Sequence, residues 1–577
     1  MLFAWRNRFA PFCLMAVSTL FTAVSVASAQ APTAAPAATP AAAQGRPGGG
    51  GGRGGGGAAA ATGQPAVIPD SITEGTVSVG GQTINYEAVA GTITVGATDQ
   101  QDATIGFDGK PLPDSGVKES DDGPPTARMF YAAYFKKDAA AEHRPIVFAY
   151  NGGPGSPTMW LHLGTFAPKR IVVPDTQHQE GAPYTMVSNE YSLLDVADIV
   201  FIDAPGCGLS RTFGRGRGEA FYGVDADGHA FERFIRRFIS KYNRWNSPKY
   251  LFGESYGTPR SAVLAADLGN VDLNGVILLS QILAFDNSDD GPSANPSVDQ
   301  AYALALPTMA ATAWYFHKLS PQPPALKPFL DEVQKYALGP YMTALLQGSE
   351  LSEADKKTVA EKLHSYIGLP VDFILKANLR IQGGEFSKEL KTDEEISVGR
   401  LDTRFQGPDM DPLSANTGYD PQSDAITSAW NTAINIYLHN DMKYATQDTY
   451  FLSARTGGEF SWNMTHRPPG RGGFGGGGGG AAGTVETGAN VMADLAYRMK
   501  LNPKMKVFLA GGYYDLATPY FEGMFEMHHL PMPNSLQSNI SYHYYEAGHM
   551  IYVREDILKQ FHNDVAAFIK SSENGAK

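Results

Sequence analysis

The chain has 577 residues, 43% of them hydrophobic, enough to bury a large core and to hold more than one structural unit. Its formal net charge of −13, with no basic block to offset it, argues against nucleic acid and anionic membrane as partners.

From the N-terminus, residues 1–29 read as a secretory signal. Arg6 and Arg8 precede an apolar run from Phe9 to Val26, and Ala27-Ser28-Ala29 forms a small-x-small cleavage site before Gln30. An uncleaved anchor is the alternative reading, weakened by Pro11 and the serines and threonines within the run. No second spanning segment follows, so the expectation is a secreted or periplasmic protein without stable membrane insertion after cleavage. Cys13 falls in the signal and Cys207 stands alone, so the mature chain has no intrachain disulfide. Residues 30–66 are Ala, Pro and Gly with few large apolar side chains, the composition of a disordered tether.

Next, "TVSVGGQTINYEAVAGTITV" (76–95) has the alternation and Gly-Gly turn of a hairpin, and "RMFYAAYF" (128–135) alternates too. Short apolar runs follow: "IVFAY" (146–150), "DIVFID" (198–203), "KYLF" (249–252), "GVILLS" (275–280), "KVFLAG" (506–511) and "YHYY" (542–545). Bounded by Gly, Pro or Asp, they suit buried parallel strands. Helical periodicity separates them, as in 228–242 and 557–571. The pattern predicts a doubly wound, mostly parallel α/β sheet. Its first part is expected over 67–285 and its second over 491–577. Between them, 286–490 loses the strand signal and reads as a helical lid inserted over the C-terminal edge of the sheet, with Ser352 as the N-cap of one helix. Within it, "PPGRGGFGGGGGGAAG" (468–483) reads as a surface loop.

Sites in open α/β sheets form beyond the carboxyl ends of the strands. There the chain places Asn151-Gly152-Gly153-Pro154-Gly155, Gly253-Glu254-Ser255-Tyr256-Gly257, the loop carrying Asp515, and Glu546-Ala547-Gly548-His549. In a chain with 63 glycines, Gly-x-Ser-x-Gly alone is a weak signal. The order Ser, Asp, His on one rim is a stronger one, and it is that of α/β-hydrolases. Ser255 is the expected nucleophile, His549 its base and Asp515 the orienting acid; His528, His529 and His562 fall within a loop or helix and compete poorly. A helix starting at Ser255 would aim the Tyr256 amide at a developing oxyanion, with the Gly153 amide as second donor. No His-Glu-x-x-His, cysteine cluster or Gly-x-x-x-x-Gly-Lys occurs, so no metal or other cofactor is expected.

The segments "NGGPG" (151–155), "FIDAPGCGLS" (201–210), "GESYG" (253–257) and "EAGHM" (546–550) resemble, in order, landmarks of the serine carboxypeptidase family, over roughly 125–285 and 500–575. The likeness is to a divergent member, bacterial in type given the export signal. It implies the α/β-hydrolase fold with an inserted domain, the triad Ser255, Asp515 and His549, and the Gly153 and Tyr256 amides as oxyanion hole. It also implies that Asn151 and Glu254 belong to a clamp for the substrate's terminal carboxylate. Half of that clamp is absent: the family's Trp position is Ala149, and a Glu position aligns with Thr165. The loop "GGYYDLATP" is closer to the aspartate loop of proline- and tripeptide-releasing aminopeptidases, and the family's stapling cysteines are missing. The expected activity is therefore a secreted serine exopeptidase, carboxypeptidase-like, acting on peptides through an acyl-enzyme. An aminopeptidase or an esterase acting on small esters is the alternative, and a non-catalytic binding protein on the same scaffold the third reading.

Overall fold

The computed structural model describes residues 68–117, 123–288, 296–444, 447–469 and 489–574. The segments expected to be a secretory signal (1–29) and a tether (30–66), and residues 470–483 of the glycine-rich stretch, lie outside the described residues.

The β-branched and aromatic runs form the strands of one sheet. Ser71–Val79 (β1) and Gln82–Gly96 (β2) are joined through Gly80 and Gly81, whose positive φ values of 56° and 80° allow the tight turn. Thr126–Lys136 (β3), Ile146–Tyr150 (β4), Asp198–Ile202 (β5), Lys249–Glu254 (β6), Gly275–Leu279 (β7), Lys506–Gly512 (β8) and Ile540–Tyr545 (β9) complete the main path. The order is β1-β2-β3-β5-β4-β6-β7-β8-β9, with Arg211–Phe213 added beside β3. β1, β2 and β3 pair antiparallel, as do β3 and β5; every pairing from β5 to β9 is parallel. This is the α/β-hydrolase arrangement, a mostly parallel sheet with helices on both faces.

Period-2 alternation divides the core. Ala149, Tyr250, Phe252, Leu279 and Phe508 face one layer, which also holds Phe561 and Ile569 of helix Glu555–Asn574. Phe148, Tyr150, Leu251, Leu278 and Leu509 face the other, filled by Phe231, Phe234 and Phe238 of helix Val224–Lys241 and by Ala262 and Leu264 of helix Gly257–Asp267. Both faces are covered, which explains why these strands read as continuous apolar runs.

Between β7 and β8 the described residues form many more helices than strands. Ser352 caps Glu353–Ile367 by accepting a hydrogen bond from the Asp355 amide at 3.1 Å. The block is not uniform. Helices from Gln300–Tyr315 to Gly383–Glu389 build a third core that takes in Tyr514, Leu516, Tyr520 and Phe521, so they pack against the loop carrying Asp515. Pro421–Asn440 instead buries Trp430, Ala433 and Tyr437 in the first core layer, against the sheet. Among the described residues no helix is long and apolar enough to cross a membrane, and Cys207 is a buried free thiol.

Candidate active site

β6 ends at Glu254, and the helix after it begins at Gly257, leaving Ser255 and Tyr256 to make the turn. Ser255 holds φ at +58°, a left-handed conformation costly for a non-glycine residue, fixed by its amide's 3.0 Å bond to the Leu279 carbonyl. The flanking glycines are steric necessities. A Cβ at 253 would overlap the Gly257 carbonyl, and one at 257 would come within 2.8 Å of the Tyr150 carbonyl. Pro259 falls in the helix's first turn, where the missing N–H leaves no acceptor unserved.

The strand end of β4 brings the second glycine turn under this elbow. A side chain at 152 would overlap the Tyr256 amide nitrogen, so the Asn151–Gly153 backbone lies directly against the Ser255 turn. The amides of Gly153 and Tyr256 are engaged in none of the loop and turn bonds. The turn is braced from behind by Arg260, which donates to the Asn151 carbonyl at 2.6 Å and to Asp227 at 2.6 Å, both partners fully buried.

Asp515 is 0% exposed. Its Oδ1 accepts from the amides of Ala517 at 2.9 Å and Thr518 at 3.0 Å, and its Oδ2 accepts from the Thr518 hydroxyl at 2.8 Å. Oδ2 also meets His549 Nδ1 at 2.8 Å. The residue is thus both a turn aspartate and an imidazole partner. A carboxylate only accepts, so Nδ1 carries the proton and Nε2 is left as the basic nitrogen. The His549 backbone is clamped from two sides: its amide donates to the Leu401 carbonyl at 2.6 Å, and its carbonyl accepts from the Ser280 hydroxyl at 2.8 Å. Ser255, partly buried, and His549 line the same cavity of about 300 Å³, together with Asn151, Gly152, Gly153, Glu254, Tyr256, Trp160, Arg400 and Met550.

Glu254 is 2% exposed, and burial first of all pushes its carboxyl up to about 7. Its Oε2 accepts from Asn151 Nδ2 at 2.8 Å, and the Tyr552 hydroxyl lies 3.1 and 3.0 Å from its two oxygens. The Asn151 carboxamide oxygen in turn accepts from the Leu161 amide at 2.9 Å. Asn151 and Glu254 therefore bind each other and Tyr552. Ala149 and Thr165 are not among the residues lining the cavity; the Thr165 hydroxyl donates to Leu161 within its own helix at 2.6 Å. Tyr552, Arg400 and Leu401 were not singled out by sequence reasoning. Tyr552 follows the Gly-His loop by three positions, a proximity that could have flagged it; Arg400 and Leu401 carry no local signal.

Burial opposes the charged form of His549, but Asp515 outweighs it, with Glu254 adding to the rise, so the imidazole sits above the ordinary 6.5. A base must be neutral to act, so kcat/KM is expected to fall as pH drops through a value above 6.5. Glu254→Gln removes one of the charges that raise His549, so its acid limb should move to lower pH. A pH–rate profile of both proteins checks this, and an unmoved limb would contradict the electrostatic link.

Residues 120–269 match the family model described as serine carboxypeptidase. The likeness is to serine carboxypeptidases. Among curated proteins, serine carboxypeptidase-like 16 of Arabidopsis thaliana is 24% identical over 35% of this chain and 46% of its own length. Serine carboxypeptidase-like 15 of the same plant is 23% identical over 30% and 40%. The chain thus spans about half the length, or less, of the curated relatives it matches. Among solved structures, the proline iminopeptidase of Mycobacterium smegmatis aligns over 88% of this chain and 100% of its own at 12% identity, with a TM-score of 0.31. The matched segment of the family model runs from β3 through the glycine turn and the Ser255 elbow, so it contains the proposed nucleophile and both proposed oxyanion donors.

Proposed function

We propose that the chain is a serine carboxypeptidase-like exopeptidase. The observation that carries this reading is the Asp515–His549 bond at 2.8 Å, opening on one cavity with a serine held at positive φ. His549 Nε2 takes the Ser255 hydroxyl proton as Oγ attacks the scissile carbonyl. The oxyanion that forms is stabilised by hydrogen bonds from the Gly153 and Tyr256 amides. His549 then passes its proton to the leaving amine, and the C–N bond breaks to give an ester on Ser255. Water, deprotonated by the same imidazole, attacks that ester and releases the acid product, returning the proton to Oγ. Asp515 keeps the imidazole oriented and stabilises its cation throughout.

A second reading, an aminopeptidase on the same machinery, is favoured by one observation: a carboxylate, Glu254, in the cavity wall that an α-ammonium could pair with. Blocked peptides decide between them. The first reading expects hydrolysis to survive an N-terminal block and to fall when the C-terminus is an amide. The reverse pattern would replace it with the second, and turnover of aryl esters alone would support an esterase.

A further inference from the structure

We propose that His466 is a positioning residue for the oxyanion hole: it pins the segment 450–466, which backs the Tyr256 ring. This rests on the acyl-transfer chemistry proposed above.

The segment touches both turns of the site. The Ala454 amide donates to the Gly155 carbonyl at 2.8 Å, and a side chain at 155 would run into Phe460 and Ala454. Trp462 meets the Tyr256 ring edge-on at 4.9 Å between centroids, and Phe460 packs on Tyr222 at 5.0 Å. The residue whose amide is the proposed oxyanion donor is thus held by its ring from outside the elbow. Between Ala454 and Asn463 the backbone bonds of the segment are internal, Thr456 to Ser453 and Gly458 to Arg455, while Glu459 pairs with Arg217 at the surface. Phe460 and Trp462 therefore take their positions from the two ends of this stretch.

At the far end, the Asn463 carbonyl accepts the Val224 amide at 2.9 Å, and its amide donates to the Tyr222 carbonyl at 3.1 Å. Three residues on, His466 has a side chain only 4% exposed. Its Nδ1 lies 2.6 Å from Asp225 of helix Val224–Lys241, and its Nε2 lies 2.8 Å from Asp494 of helix Met492–Leu501. Ionised carboxylates only accept, so both ring nitrogens donate and the ring is a cation. Asp225 also accepts the Arg467 amide at 3.1 Å. Burial opposes the charge on the ring, but the bonds to Asp225 and Asp494 outweigh it and hold His466 up to about 9. Burial lifts Asp494 as well, and the imidazolium pulls it back, which leaves the proton on the ring. Two further carboxylates stand near, Asp267 of helix Gly257–Asp267 and Glu232 of the Asp225 helix, with His229 3.3 Å from Asp267. Burial first, then Asp494, pushes Asp267 up to about 7, so it gains charge through neutrality and favours the imidazolium further. The pin is complete at neutral pH. It is lost as pH rises through about 9, when one nitrogen gives up its proton and one carboxylate loses its donor.

The test follows turnover of the best peptide or aryl ester, and tryptic cleavage after Arg455 relative to a free peptide of the same sequence, from neutral pH through 9. It compares the wild type with His466→Gln and Asp494→Asn. H466Q keeps one donor and loses the charge. Its kcat at neutral pH should fall about ten- to a hundredfold with KM little changed, because a displaced oxyanion donor acts on the transition state, and Arg455 should be cut faster. In the wild type the same two changes should appear as pH passes about 9. D494N leaves Asp225 and offers an amide oxygen in place of the carboxylate, so both changes should move to lower pH by about one to two units. A residue that only supports the fold would move no pH limb. If H466Q does not fold, the displacement in D494N decides. A wild-type kcat in H466Q, limbs that stay in place in D494N, or a fall in kcat without faster cutting overturns the role of His466 alone. A wild type that turns over neither peptide nor ester overturns the proposed function, and this role with it.

Discussion

Replacing Ser255 with alanine is expected to lower kcat by about 10⁶-fold, and His549→Ala by a similar factor, with the double variant no worse than either single one. The non-additivity is the informative part. If the imidazole's work is to take the Ser255 proton, it has nothing left to do once the hydroxyl is gone. A residual rate well above that of water should remain, because the amides of Gly153 and Tyr256 are backbone groups that these substitutions do not remove. Steady-state kinetics on the preferred peptide measure all three variants. Losses that multiply in the double variant would mean that the two residues act independently, which the proposed chemistry does not allow.

Asp515→Asn should cost about 10⁴-fold in kcat while leaving the fold intact. The hydrogen bonds around the carboxylate say why. Oδ1 accepts two backbone amides, from Ala517 and Thr518, so the carboxamide oxygen of an asparagine would occupy that position. Its NH₂ would then stand where Oδ2 meets His549 Nδ1 and would donate to it. The imidazole would carry its proton on Nε2, the wrong nitrogen for a base. Because the turn bonds survive, thermal unfolding of this variant should stay close to that of the wild type. Activity within about tenfold of the wild type would remove Asp515 from the triad.

Much of this architecture was legible in the residues. "IVFAY" is a strand over its full length, and "KYLF" runs two residues further, to Glu254, because its pairing with β7 continues to the nucleophile turn. The site's sequence signals are local ones: a glycine on either side of Ser255, a glycine turn after β4, an aspartate that turns its own loop. The rest depends on contacts between distant segments. Tyr552 reaches Glu254 across 298 positions, and the Leu401 carbonyl reaches the His549 amide from the inserted block. No spacing rule encodes such pairs.

The inserted block shows the same limit. The helical run 326–347 passes through a wider turn at Ala337–Tyr341, where Pro340 removes a donor and crowds the preceding turn. Pro421–Asn440 carries polar residues on many of its positions, so its apolar stripe of Ala429, Trp430, Ala433 and Tyr437 does not announce a partner. It packs in the first core layer beside the helix Met159–Gly164, where Trp430 meets Trp160 at 5.5 Å between ring centroids.

The central claim is that the Ser255 hydroxyl becomes a nucleophile by giving its proton to His549. The most direct measurement is the rate at which a fluorophosphonate labels the protein as pH is varied, with the adduct located by peptide mass mapping. The account predicts a single adduct on Ser255, forming along a curve that rises through a pKa above 6.5 and lost in His549→Ala. An adduct on another residue, or Ser255 labelling that is unchanged without the imidazole, would contradict it.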